Sequence, residues 1–100
     1  MEYKIKIDED ALLDIKNASF WYGNQLIGLD IRYKTQVIKQ INRLKKNPYI
    51  FAIKYNNIRC IKIEKFPFLV HYSINDDLKL IEIFSVIHTS RSPEIWLKNK

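Results

Sequence analysis

Residues 58–88 read IRCIKIEKFPFLVHYSINDDLKLIEIFSVIH, and the fold turns on how that run is punctuated. Three stretches rich in β-branched and aromatic residues, 58–63, 68–74 and 78–88, are separated by the breaks 64–67 and 75–77. Stretches of this composition between turn residues predict strands. Breaks this short allow only antiparallel pairing, because a parallel return needs a crossover of about a dozen residues or more.

Upstream of this run the period changes to that of a helix. Leu29, Tyr33, Val37, Ile41 and Leu44 recur at spacings of four, four, four and three, the stripe of an amphipathic helix. Arg43, Lys45 and Lys46 set positive charge against the negative pole of its dipole, and Asn47 and Pro48 end it. Residues 26–28 read as a short turn. Before it Ala11, Ile15, Ala18 and Tyr22 form a second stripe, flanked by Leu12 and Ser19 and running out near Gly23, with Asp14 and Lys16 expected to face water. Asp8 is the expected N-cap of this helix, and Glu9 and Asp10 place negative charge at the positive end of its dipole. Tyr3, Ile5 and Ile7 alternate with Lys4 and Lys6, the pattern of a strand with one buried face. Beyond His88 the chain is irregular until Pro93, which is placed to begin a short terminal helix that docks through Trp96. The order is β-α-α-β-β-β. It describes an α+β fold, residues 1–100 as a single domain, with a helix hairpin packed on a mainly antiparallel four-stranded sheet and a short C-terminal helix.

Composition agrees with one packed domain. The chain has 100 residues, 47% of them hydrophobic, with only two Gly and three Pro, which excludes a disordered or low-complexity chain. Its single cysteine, Cys60, excludes an intramolecular disulfide and a cysteine-based zinc cage, and is read as a small core residue. No apolar run approaches the roughly 20 residues of a membrane helix, and residues 1–10 lack the apolar core of a signal peptide. Cytoplasm is the expected compartment, with no membrane association. The net charge of +6 is unevenly spread: residues 1–31 hold three basic and six acidic groups, residues 32–65 ten and one, and residues 66–100 four and four. A basic middle block of this density suits either a polyanionic or acidic partner or a solvated helix face.

The element order, together with Ile58-Arg59, Phe66-Pro67-Phe68, Tyr72 and the ending Val86-Ile87-His88-Thr89-Ser90-Arg91-Ser92-Pro93, resembles the RelE/ParE toxin superfamily. Trp21-Tyr22 late in the first helix, Gly28-Leu29 opening the second, and Leu44 followed by Pro48 also look like its pattern. The resemblance spans nearly the whole chain. It implies a growth-inhibiting bacterial toxin of a type II toxin-antitoxin pair, neutralised by a cognate antitoxin and present as a homodimer or as a heterotetramer with that antitoxin. RelE-like members cut mRNA on the ribosome without a metal, whereas ParE-like members inhibit DNA gyrase without known hydrolytic chemistry.

Metal-free RNA cleavage requires a base for the 2′-hydroxyl, cations for the pentacovalent phosphate and an acid for the leaving oxygen. Arg59, His88 and Arg91 supply those groups and are expected to converge at one end of the sheet, as a metal-independent endoribonuclease with neither cofactor nor metal. His88 would exchange the proton, and Arg59 and Arg91 would grip the phosphate. Lys45, Lys46, Lys54, Lys62 and Tyr72 are the supporting candidates for binding RNA or a partner. Each assignment has a structural counterpart. His88 can be a buried ring bonded to a backbone carbonyl, and the arginines can be ion-paired with Glu82 or Glu94 or can hold an acidic antitoxin. His71 is expected on an outward strand face without a partner at metal-ligand spacing. Residues 92–100 carry Trp96 where many RelE-like nucleases carry a tyrosine or second histidine. Ribosome-dependent mRNA cleavage is the first reading, with gyrase inhibition and an inactive antitoxin-binding module as its alternatives.

Overall fold

The computed structural model describes residues 2–90. In chain order they form β1 (Lys4–Ile7), α1 (Glu9–Gln25), α2 (Leu29–Lys46), a 3-10 turn (Pro48–Ile50), β2 (Ile53–Tyr55), β3 (Ile58–Lys62), β4 (Phe68–Asn75) and β5 (Leu80–His88). The expected terminal helix at Pro93, with Trp96 and Arg91, lies outside the described residues.

The sheet has five strands, in the order β1-β5-β4-β3-β2, rather than the four expected. The extra strand is β2, whose three residues pair antiparallel with β3. Asn56 and Asn57 make the two-residue connection with φ of 41° and 68°, the left-handed pair that a tight hairpin turn requires and that asparagine tolerates. The remaining antiparallel pairs are the expected ones, and β1 joins the outer side of β5 in parallel.

The helix hairpin crosses one face of this sheet. On α2 the expected stripe of Tyr33, Val37, Ile41 and Leu44 is buried, together with Gln40. It meets Ile61, Val70, Tyr72, Ile81 and Ile83 from the strands. An aromatic cluster closes the hairpin end of the core. Tyr33 lies 5.3 Å from Phe66 and 5.2 Å from Phe68 between ring centroids, and Tyr22 lies 4.9 Å from Phe66. All three contacts are edge-on, the geometry ring quadrupoles favour. Gly28, with φ of 89°, supplies the left-handed residue that reverses the chain between the helices.

Two expectations for α1 need correction. Asp8 occupies the N-cap position but makes no side-chain cap bond; instead its backbone N–H donates to Ile83 O at 2.9 Å. Asp14 does not face bulk water, since its Oδ2 accepts the Val86 N–H at 3.0 Å. The reason lies in the register. β1 ends opposite Ile83 while β5 continues to His88, so the Val86 N–H, beyond the last β1 partner, needs another acceptor.

The opposite face of the sheet carries the row Cys60, His71 and Ser85, in register across β3, β4 and β5, and all three are buried. His71 is therefore not outward and solvated as expected. Its Nδ1 lies 3.0 Å from the Tyr55 hydroxyl and 3.4 Å from Cys60 Sγ. Burial pushes the ring down to about 4 and the Cys60 thiol up to about 11, so both are neutral near pH 7.

Two predictions follow from this packing. Tyr72 is wholly buried, and its hydroxyl donates to Pro48 O at 2.7 Å. Tyr72→Phe leaves that carbonyl without its donor and should cost about 1–3 kcal/mol in urea unfolding; an unchanged midpoint would contradict the bond. His71 titrates near 6.5 in the unfolded chain and near 4 when folded, so its neutral form holds stability fully above pH 6.5. That stability should drain as pH falls from 6.5 toward 4, with a slope approaching about 1.4 kcal/mol per pH unit. His71→Phe should flatten this slope in denaturation curves taken at pH 7, 6 and 5; a slope equal to wild type would refute the assignment.

Candidate functional site

His88 ends β5 opposite Phe68, with ring centroids 5.2 Å apart. Its ring is half-buried, and Nδ1 accepts the Ser90 backbone N–H at 3.0 Å. This is neither a deeply buried ring nor a bond to a carbonyl. An N–H donor on Nδ1 leaves the proton of the neutral ring on Nε2. The Ser90 hydroxyl lies 2.7 Å from the same nitrogen, so Ser90 engages Nδ1 through both its backbone and its side chain.

Arg59 is the second residue of β3 and pairs with Tyr72 at one end of the β3–β4 ladder. Its guanidinium donates to Phe51 O and sits 5.0 Å above the Tyr49 ring. The Tyr49 hydroxyl in turn donates to Asp76, which also accepts from Tyr3 at 2.8 Å. These two donors hold the Asp76 carboxyl below its usual range. Arg59 is therefore part of a network that fastens the turn after α2 to the β4–β5 turn and to the start of the chain.

The expected convergence of Arg59 and His88 does not occur. Their partners on β4, Tyr72 and Phe68, are four residues apart, about 13 Å along a strand, and β3 and β5 are two strand spacings of about 5 Å apart. Turn lengths fix strand order but not register, and the register sets His88 beside the first residue of β4 and Arg59 beside the fifth of its eight. Arg91 lies outside the described residues.

The supporting candidates are equally dispersed. Lys46 is exposed at the end of α2, Lys54 on edge strand β2 and Lys62 at the end of β3, while Lys45 is half-buried and its carbonyl accepts the Tyr3 N–H at 3.0 Å. Tyr72 is a core residue whose phenol does not reach the surface. The Cys60–His71 pair is not an activated dyad, since a thiol raised by burial carries little thiolate.

What does assemble is a groove between helix hairpin and sheet whose lining residues the sequence reading did not name as a site. Between α2 and the β3–β4 turn, Tyr22, Leu29, Ile31, Phe66 and Pro67 line a volume of about 770 Å³, with Arg32 and Lys65 among its lining residues. Gln36 also lines it, and its Oε1 is buried with no hydrogen-bond partner among the described residues. Arg32, Lys39, Arg43 and Lys46 recur along α2 at offsets of 0, 7, 11 and 14, which places them on one flank of the helix. The signal was available in those offsets. Lys39 pairs with Glu64 at 3.6 Å, and Arg43 donates to Gln40 at 3.0 Å and lies 5.8 Å from the Phe51 ring centroid.

The profile of the ParE toxin of type II toxin-antitoxin system, parDE, matches residues 5–93. No curated protein matches the chain. Among solved structures, the chromosomal ParDE toxin-antitoxin system of P. aeruginosa superposes with a TM-score of 0.74 at 18% identity, over 89% of this chain and 98% of that one. The E. coli toxin RelE in the free state, as a doubly substituted mutant, gives 0.70 at 19% identity, over 99% and 95%. The intact E. coli RelBE toxin-antitoxin complex gives 0.66 at 20% identity, over 89% and 99%. At these identities the superpositions speak for the fold, and the profile match over most of the chain speaks for the family: the chain belongs to the ParE toxins of type II toxin-antitoxin systems.

Proposed function

We propose that this toxin arrests growth by binding its target rather than by cutting RNA, which on the ParE side of the superfamily implies DNA gyrase. The observation that carries the reading is the separation of Arg59 and His88. Cleavage without a metal requires a proton-transfer group and a phosphate-stabilising cation around one phosphate. Here the cation is tied into the Tyr49 and Phe51 network, and the imidazole Nδ1 is occupied by Ser90. The ParE family match agrees with this preference over the mRNA-cleavage reading.

The same proposal includes a cognate antitoxin, and the groove beside α2 is its seat. An apolar floor with Arg32 and Lys65 among the lining residues suits an amphipathic segment with acidic side chains, and the buried Gln36 Oε1 offers an acceptor to a donor on that segment.

Induced expression of the chain alone should stop growth. His88→Ala and Arg59→Ala should keep toxicity to the extent that they keep the melting temperature of the parent. A loss of about 10² or more in growth inhibition from a fully folded His88→Ala protein, the scale of a lost acid-base group, would favour cleavage instead. For the antitoxin, Arg32→Glu with Lys65→Glu should weaken binding about tenfold or more at low salt and reduce its salt dependence. An affinity unchanged by the double reversal would remove the groove from the interface.

A further inference from the structure

The flank of α2 that borders the end of β3 carries charge without apolar surface. Arg43, Lys62 and Lys65 line a shallow hollow of about 350 Å³ together with Gln40, Ile63 and Glu64. Its one apolar residue, Ile63, is wholly buried, and its one carboxylate, Glu64, pairs with Lys39 at 3.6 Å. Lys39 and Lys46 extend the cationic row on α2 to either side of Arg43, four residues before it and three after. Two short rows of cations therefore border the hollow, one from α2 and one from the end of β3 and the turn beyond it. Arg43 is also held in place. Gln40, itself only 3% exposed, accepts from its guanidinium at 3.0 Å, and the Phe51 ring lies 5.8 Å away. An ordered guanidinium loses less freedom when an anion docks.

We propose that this strip grips the phosphate backbone of duplex DNA without reading its sequence. A protein partner needs an apolar or aromatic centre from which water is excluded. The groove assigned to the antitoxin has one in Tyr22, Leu29 and Phe66; the strip exposes no such residue among those that line it. Single-stranded nucleic acid is held by stacking its bases on exposed rings, and among the described residues no ring lines the hollow. What the strip supplies is closely spaced cations, which neutralise phosphates and release their counterions whatever the bases are. Lys39 to Lys46 spans about 10 Å at a helix rise of about 1.5 Å per residue, the length of about three phosphates of one strand at about 3.4 Å each. Lys62 and Lys65 form a second rank beside them. The contact is a property of the chain itself and holds whichever macromolecule the toxin arrests. Lys65 also lines the antitoxin groove, so substitutions that separate the two surfaces must spare it.

The test is fluorescence anisotropy of short labelled DNA duplexes titrated with the purified full-length chain between about 50 and 200 mM salt. Wild type should bind two unrelated sequences equally, with a Kd on the order of 10 µM or tighter at the low end. The slope of log affinity against log salt should be about −3.6, for the four cations Arg43, Lys46, Lys62 and Lys65. Lys46→Ala with Lys62→Ala should weaken binding tenfold or more at about 50 mM salt and bring the slope to about −1.8, with an unchanged melting temperature, since both side chains are exposed. Glu64→Gln should tighten binding severalfold, because it removes the hollow's carboxylate and releases Lys39. Lys4→Ala with Lys6→Ala removes the same charge from β1 and should leave the slope as in wild type. A wild type that leaves the duplex unbound at about 100 µM overturns the proposal, as does a folded Lys46→Ala, Lys62→Ala chain with wild-type affinity and slope, or a Lys4→Ala, Lys6→Ala chain that loses as much. Tighter binding of poly-glutamate or of single-stranded DNA than of the duplex, at equal total charge, also overturns it and assigns the strip to an acidic protein or to a single strand.

Discussion

β5 bonds to β1 in parallel on one side and to β4 in antiparallel on the other, so the first and last strands described are neighbours, with β1 at the edge of the sheet. Parallel pairing requires a crossover before the chain can return in the same direction, though the α1–α2 hairpin and three further strands intervene here. With β1 fixed beside β5, the hairpin that leaves β1 has one sheet face to cover. Its stripe of Tyr33, Val37, Ile41 and Leu44 must then meet Ile81 and Ile83 on β5 and Val70 and Tyr72 on β4. The same pairing explains Asp14. β1 stops at Ile7, β5 does not, and the helix that begins two residues later places a carboxylate where the strand partner is missing. Removing a hydrogen-bond donor or acceptor from such a buried junction is expensive because water cannot replace it.

Much of this was legible in the sequence, and the parts that were not share a cause. Periodicity reports which face of an element is buried, and it identified α2 and the three strands of residues 58–88 nearly to their ends. β2 is only three residues long, too short for a period to show, and its sole local signal was the Asn56–Asn57 turn. Asp14 looked solvent-facing on a helical projection because its partner is a backbone group 72 residues away. His71 looked outward because alternation separates the two faces of a strand without saying whether the second is also buried. The distance between Arg59 and His88 depends on register, and turn lengths give strand order but not register. Each failure concerns a long-range placement that no local pattern encodes.

The basic block of residues 32–65 also changes meaning once folded. In sequence it is one run; in space it becomes a stripe along one flank of α2, with Lys65 across the groove and Lys54 on the far edge strand. Several of its members already have structural work, Arg59 over Tyr49 and Arg43 beside Phe51 among them. The helix surface near the hairpin turn, where Phe20 and Ile27 line a shallow hollow, has the opposite character, apolar around a single carboxylate. A small domain with two such different surfaces is organised for contacts with macromolecules, and the ParE family membership gives those contacts a biological setting.

The central claim is that toxicity comes from binding and not from RNA chemistry. It is tested most directly by adding the purified full-length chain, in parallel, to DNA gyrase acting on relaxed plasmid and to ribosomes programmed with a defined mRNA. The account predicts that supercoiling stops or that cleaved gyrase–DNA complexes accumulate, while the mRNA stays whole. New mRNA ends at ribosome-bound codons, with gyrase turning over normally, would contradict it.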